Sequence, residues 1–115
     1  MNPLRLQVAF FRTETGGEPV REWLKSLDQT ERRIIGEEIK TVQIGWPLGM
    51  PLVRKMEADL WEIRCQLPGR IARILFTTEA GKMVLLHGFI KKTQKTPDQE
   101  LQVAQQRRAQ LRRRV

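Results

Sequence analysis

The chain has 115 residues, 40% of them hydrophobic and 30% charged, and a net charge of +8 at pH 7. This composition is typical of a soluble globular protein, and the length predicts one domain over residues 1–115. No apolar run approaches the roughly 20 residues of a membrane span, and the N-terminus lacks a signal peptide's apolar core, so we expect a cytoplasmic protein without membrane contact. The single cysteine, Cys65, excludes an internal disulfide and a multi-cysteine metal site.

The positive charge is concentrated near the C-terminus. Residues 1–86 contain 13 Lys or Arg and 11 Asp or Glu, whereas residues 87–115 contain 8 and 2. Such asymmetry predicts a polyanionic or acidic partner. The alternative for the last three arginines, residues 112–114, is a solvated basic tail.

The first half of the chain predicts a strand followed by two helices. Alternating apolar residues over 4–11 are typical of a strand. Pro19 suits the first turn of a helix whose apolar residues recur with helical spacing. Asp28 and Glu31 resemble a capping box that opens a second helix, which ends near residues 45–47. The short break between the helices predicts a helical hairpin.

The second half predicts strands and a final helix. Residues 52–57 are a weak strand candidate, while 60–67 and 70–77 flank the turn dipeptide Pro68-Gly69 and should pair antiparallel. Residues 83–90 are almost wholly apolar, which predicts a central strand. Thr96 as N-cap and Pro97 as the first helical residue then open a basic C-terminal helix. The order β-α-α-β-β-β-α predicts an α+β fold with the helical hairpin on one sheet face.

Two arginines interrupt the predicted strands. Arg64 and Arg73 lie on either side of one tight turn, and Arg73 is surrounded by apolar neighbours. A buried guanidinium needs a partner. One interpretation is a structural ion pair with Glu62 or Glu57, and the other is bidentate binding of a phosphate.

Three lysines follow the apolar strand at 83–90. Lys91, Lys92 and Lys95 lie between the strand end and the helix start, which favours nucleic-acid contact or catalysis over a merely solvated surface. His87, the only histidine, should share a strand face with Met83, Leu85 and Phe89, as a satisfied core residue. The motifs GxGxxG, Walker A, HExxH and CxxC are absent, so no cofactor and no metal site are predicted.

Three segments carry a family resemblance: residues 60–64 (LWEIR), 69–75 (GRIARIL) and 85–97 (LLHGFIKKTQKTP). They resemble the phage-derived HigB-like branch of the RelE/ParE toxins of bacterial toxin–antitoxin systems. The resemblance implies a RelE-like fold: a small, mostly antiparallel sheet, an N-terminal helical hairpin and a C-terminal basic helix. Its partners would be a cognate helix-turn-helix antitoxin, mRNA and the ribosome.

The resemblance also implies an activity, metal-independent cleavage of mRNA by attack of the 2′-OH on the neighbouring phosphate. Arg64 and Arg73 would stabilise the five-coordinate phosphorus, while Lys91, Lys92 or Lys95 would contact phosphate or transfer protons. A further set is expected to bind RNA: Arg54, Lys55, His87, Arg107 and Arg108.

The chain departs from several RelE-type nucleases in one respect. They place a tyrosine near the C-terminus, whereas this chain has no tyrosine. His87 and Phe89 are the nearby residues that could take part of that role. ParE relatives share the fold, lack RNase activity and inhibit DNA gyrase, so a non-catalytic gyrase inhibitor is the alternative function.

Overall fold

A computed structural model describes residues 6–114 of the chain. The weak candidate at 52–57 forms a strand, so four strands follow the helical hairpin in the described residues, rather than the three of the predicted order. Residues 1–5 of the chain, including the start of the strand predicted over 4–11, lie outside this range. The elements are β1 (Gln7–Phe10), α1 (Pro19–Lys25), α2 (Gln29–Gly45), β2 (Val53–Glu57), β3 (Leu60–Leu67), β4 (Arg70–Glu79), β5 (Lys82–Ile90) and α3 (Asp98–Arg114).

The strands form one sheet in the order β1-β5-β4-β3-β2. β1 pairs parallel with β5, and the remaining pairs are antiparallel. The prediction of an α+β fold with a mostly antiparallel sheet is confirmed. β5 lies inside the sheet as its apolar sequence indicates, although the middle strand is β4.

The helical hairpin covers one face of the sheet, which we call the hairpin face. The predicted capping box opens α2, since the Asp28 carboxylate accepts from the Glu31 backbone N–H at 2.8 Å and the Glu31 carboxylate accepts from the Asp28 N–H at 3.3 Å. The helical spacing then directs Ile35, Ile39 and Val42 into the core. Burying such side chains contributes about 1.5–3 kcal/mol each.

Helix α3 covers part of the opposite face, which we call the α3 face. Its sparse apolar positions, Ala104 and Leu101 among them, pack against Leu75, Leu86 and Phe89 of the sheet. The helix begins at Asp98, where the carbonyl of Pro97 accepts the first helical bonds, so the assignment of Thr96 as N-cap is wrong. The Thr96 hydroxyl donates instead to a buried carboxylate in the sheet. No helix within residues 6–114 is both long enough and apolar enough to cross a membrane.

A β-bulge in β5 changes which residues face α3. Leu85 pairs with Phe76 on the hairpin face, but His87 pairs with Leu75 on the α3 face, so Leu86 is the extra residue between them. A bulge breaks the alternation of a strand. The prediction that His87 shares a face with Met83 and Leu85 is therefore wrong, whereas Phe89 does lie beside His87, with ring centroids 5.7 Å apart.

The close contact between α1 and β5 predicts the effect of a one-carbon substitution. A Cβ at Gly88 would overlap the six-membered ring of Trp23, whereas a Cβ at Gly36, in the exposed middle of α2, would meet no atom within 4 Å. We expect Gly88→Ala to lower the free energy of unfolding by about 1–3 kcal/mol through overpacking. Gly36→Ala should raise it by about 0.5–1 kcal/mol through helix propensity. Urea unfolding of both variants checks this, and equal stabilities would contradict the packing of Trp23 on Gly88.

Candidate functional site

The strand register places two arginines opposite each other. Arg64 of β3 and Arg73 of β4 are Cα partners, and both side chains lie on the α3 face. Like charges directly opposite on neighbouring strands destabilise a sheet. The pair therefore requires compensation, either from a carboxylate of the protein or from a bound anion.

Arg73 is compensated within the protein. Its Nη1 lies 3.2 Å from Oε1 of Glu62 and donates to the Thr96 hydroxyl at 2.8 Å, while its Nη2 donates to the carbonyl of Gln94 at 3.1 Å. Thr96 in turn donates to Oε2 of Glu62 at 2.6 Å. The side chains of Arg73 and Glu62 are only 7% and 3% exposed. The ion-pair interpretation with Glu62 is confirmed.

One donor of this buried network has no acceptor. The Nε of Arg73 is buried and makes no hydrogen bond to any described residue. An unsatisfied buried donor costs about 1–3 kcal/mol. The network thus holds the guanidinium in place while leaving its hydrogen-bonding capacity incomplete.

Arg64 lies exposed at an open cleft, without such compensation. Within residues 6–114, no carboxylate approaches Arg64, Arg54 or Lys91 to within 4.0 Å. The cleft has a volume of about 240 Å³, and its four cations outnumber its one carboxylate. We call it the arginine cleft; it is lined by Met50, Pro51, Arg54, Glu62, Arg64, Arg73, Lys91 and Gln94.

The lysines divide into two groups. The backbone N–H of Lys91 donates to the carbonyl of Ile71 at 2.7 Å, which continues the sheet pairing and holds Lys91 at the arginine cleft. Lys91 also borders a second cleft of about 510 Å³, together with Lys92. Lys95 lies in a separate depression beside Thr96. The structure therefore brings Lys91 next to Arg64 and Arg73, places Lys92 in the adjoining cleft, and leaves Lys95 in a separate depression.

Of the two predicted RNA contacts on β2, one reaches the cleft. Arg54 pairs with Glu62 and lines the arginine cleft. Lys55 follows it in the strand and pairs with Trp61, so its side chain lies on the hairpin face. Lys55 is thus exposed on the other side of the sheet from the arginines.

The remaining predicted contacts bind other parts of the protein. His87 Nε2 lies 3.0 Å from Oε1 of Glu100, and Arg107 donates to the carbonyl of Leu86 at 2.7 Å. Burial lowers the pKa of Arg107. Arg108 donates to the carbonyl of Ala58 and, at 2.7 Å, to the carboxylate of Glu57. These two hydrogen bonds anchor α3 to β2.

Sequence reasoning missed three lining residues of the cleft, Met50, Pro51 and Gln94, and the contact of Thr96 with Arg73. Thr96 and Gln94 bind Arg73 across 23 and 21 positions of the chain, and Met50 belongs to the irregular link before β2. Thr96 stands directly before a proline, a pattern that is typical of a helix N-cap. This pattern does not indicate the contact with Arg73. Among the described residues, no group of three or more His, Cys, Asp or Glu side chains is placed to hold a metal ion.

The buried ion pair predicts a large stability effect. Glu62→Gln leaves the Arg73 charge buried without its counter-charge, so we expect the free energy of unfolding to fall by about 3–5 kcal/mol. Glu37→Gln is the matched control, because Glu37 pairs with Arg33 on the exposed surface of α2, and its loss should cost less than about 1 kcal/mol. Chemical denaturation measures both. Similar costs for the two variants would contradict a buried pair.

The contact between Arg108 and Glu57 predicts a dependence on acid. Hydrogen bonds from Arg108 and Gln105 hold the pKa of Glu57 below its ordinary value of 4.5. A lowered folded-state pKa stabilises the fold above the unfolded pKa, and this stabilisation disappears as the pH falls below about 4.5. Glu57→Gln should therefore lose less stability than the wild type between about pH 5 and pH 3. The control Glu22→Gln, an exposed carboxylate 3.8 Å from Lys25, should follow the wild-type curve.

Comparison with known proteins places this architecture in a family. Residues 22–109 match the family described as "Phage derived protein Gp49-like (DUF891)", a range that includes the strands and the lysine segment of the arginine cleft. A search of curated proteins finds none that matches the chain. Because the matched range covers well over half of its length, the chain belongs to the Gp49-like family of phage-derived proteins, a family of toxins of toxin–antitoxin systems.

Proposed function

We propose that the protein is a HigB-like toxin that cleaves mRNA at the ribosome without a metal ion. The observation that carries the proposal is the opposition of Arg64 and Arg73 at the floor of the arginine cleft, with Lys91 beside them. Glu62 compensates only one of these cations. The uncompensated excess of positive charge favours an anion, and a phosphodiester is the anion that the family's role suggests.

The proposed reaction is an internal transesterification of RNA. The 2′-oxygen attacks the adjacent phosphorus, the O2′–P bond forms, and the P–O5′ bond breaks. The 2′-hydroxyl proton passes to a base and the departing 5′-oxygen takes up a proton, which yields a 2′,3′-cyclic phosphate and a 5′-hydroxyl. Negative charge on the phosphoryl oxygens grows in the transition state, so fixed cations near them accelerate the step.

The positions of the cations suggest a different role for each of them. Arg64, whose guanidinium is exposed at the cleft, would bind the phosphoryl oxygens directly. Lys91 would transfer a proton or contact phosphate, because it is the lysine that lines the same cleft as both arginines. Lys92 would assist from the adjoining cleft, and Lys95 would contact RNA farther away.

Arg73 would act mainly by positioning. Both of its terminal nitrogens already bind the protein, at Glu62, Thr96 and Gln94. It would thereby hold the segment that carries the lysines, and its charge would add to the field in the cleft. Among the other predicted RNA contacts, Arg54 is the one in the arginine cleft.

A cognate antitoxin is the expected protein partner, with a helix-turn-helix domain as the resemblance implies. An acidic or amphipathic segment of it would cover the arginine cleft and the exposed lysines, and so block access of RNA. Charge complementarity would speed this association.

Controlled expression of point variants tests the function. We expect the wild type to stop bacterial growth and to produce cleaved messages, with cut sites that primer extension maps. Arg64→Ala should reduce the cleavage rate about a hundredfold or more, since it removes a cation at the developing charge. Lys55→Ala is the matched control, because its charge lies on the hairpin face, and it should remain toxic. Arg64→Ala is preferable to Arg73→Ala, which would leave Glu62 buried without its partner.

Assays with purified protein separate the alternatives. Cleavage of mRNA only when ribosomes are added would support action at the ribosome. Full toxicity of both Arg64→Ala and Lys91→Ala would rule out the arginine cleft as the site. Supercoiling defects and DNA damage without message cleavage would overturn the nuclease proposal in favour of a gyrase inhibitor.

A further inference from the structure

Met50 is a large apolar side chain that the fold leaves outside its core. It is 76% exposed, and Ile44, at 47%, is the other large hydrophobic residue that is exposed within residues 6–114. A single exposed apolar residue is ordinary on a protein surface. The location of Met50 is not ordinary, because it forms a wall of the arginine cleft together with Pro51.

The rest of the cleft is polar or charged. Its remaining lining residues are Arg54, Glu62, Arg64, Arg73, Lys91 and Gln94, and none of them is apolar. A nucleotide combines an anionic phosphate with a flat, largely apolar base. The cleft presents the complementary combination, cations together with the apolar side chains of Met50 and Pro51.

The aromatic residues that could receive a base are engaged elsewhere. Trp46, Trp61 and Phe76 pack against one another in the core, with centroid distances of 4.9–5.7 Å. Phe89 stacks with His87 beneath α3. The chain contains no tyrosine, and no aromatic residue lines the arginine cleft. A base that enters this cleft therefore meets Met50 and Pro51.

The backbone holds this wall at a fixed position relative to Arg64. The N–H of Val53 donates to the carbonyl of Gly49 at 3.1 Å, and the N–H of Arg64 donates to the carbonyl of Leu52 at 2.9 Å. The first bond joins the link to the start of β2, and the second ties it to β3, the strand that carries Arg64. A phosphate on Arg64 and a base on Met50 can thus belong to one nucleotide or to two neighbours.

We propose that Met50 and Pro51 form a nucleobase-binding subsite of the arginine cleft. The inference rests on the proposed function, since it requires RNA as the ligand. Methionine suits this role because its polarisable thioether binds favourably to aromatic rings. Methionine and proline are also among the apolar side chains that proteins place against nucleic-acid bases. Gln94, an exposed residue that also lines the cleft, supplies an amide for hydrogen bonds to a base edge.

A binding experiment with matched RNAs tests the subsite. The probe is a short single-stranded RNA whose 2′-hydroxyls are replaced by fluorine, so that it cannot be cut, together with versions that lack the base at one position in turn. We expect the wild type to bind the intact RNA about three- to tenfold more tightly than the version that lacks the critical base. Met50→Ala should bind both RNAs equally, at the affinity of the wild type for the abasic version.

Two control variants show whether a lost preference for the intact RNA is specific to Met50. Ile44→Ala removes the other exposed apolar side chain, which lies outside the cleft, and should retain the full preference for the intact RNA. Arg64→Ala should weaken both RNAs and reduce the salt dependence of binding, because it removes a phosphate contact. Because the Met50 side chain is mostly exposed, we expect Met50→Ala to keep the stability of the wild type. Equal urea midpoints of the two proteins verify that a lost preference does not come from unfolding.

The failures of the two proposals are distinguishable. If Arg64→Ala weakens RNA binding but Met50→Ala keeps the preference for the intact RNA, the nucleobase subsite is wrong and the RNA site stands. If the wild type binds neither RNA, or if Arg64→Ala binds both as the wild type does, the proposed function itself is wrong at this cleft.

Discussion

The buried contact of Arg73 with Glu62 and Thr96 is the interaction on which the geometry of the arginine cleft depends. It joins β3, β4 and the segment before α3, and all three residues are buried. Two charges in such a place must remain paired, because each alone would be costly. The segment between β5 and α3 therefore passes over Arg73, which binds it at Gln94 and Thr96. The buried pair thus holds the segment that carries Lys92 and Lys95, while sheet pairing with Ile71 holds Lys91.

Much of this site is predictable because the interactions that define it are local. The alternation in residues 60–67 assigns Arg64 and Glu62 to one face, and the Pro68-Gly69 turn sets the register that places Arg73 opposite Arg64. A hairpin with a tight turn leaves little freedom in pairing. The ion pair with Glu62 follows from the same register. The capping box of α2 is equally local, and it too was readable from the sequence.

What the sequence did not reveal depends on contacts between distant segments. The bulge at Leu86 places His87 on the α3 face instead of the hairpin face. A prediction from strict alternation cannot locate such an extra residue in a strand. The basic C-terminus is a second case. Arg108 pairs with Glu57, and Arg112 lies 2.9 Å from Glu79, so tertiary contacts neutralise charges that the sequence shows as an excess.

This neutralisation identifies the candidate functional surface better than the count of charges does. Several helix arginines are directed back onto the protein, whereas Arg54, Arg64 and Lys91 have no carboxylate within 4.0 Å among the described residues. Uncompensated cations repel one another and gain stability only from an external anion. The fold thus brings three cations without a carboxylate partner in the described part of the chain, Arg54, Arg64 and Lys91, together around one cleft. A ligand that satisfies them must be anionic, and the adjacent apolar wall at Met50 favours an anion that also carries an apolar group.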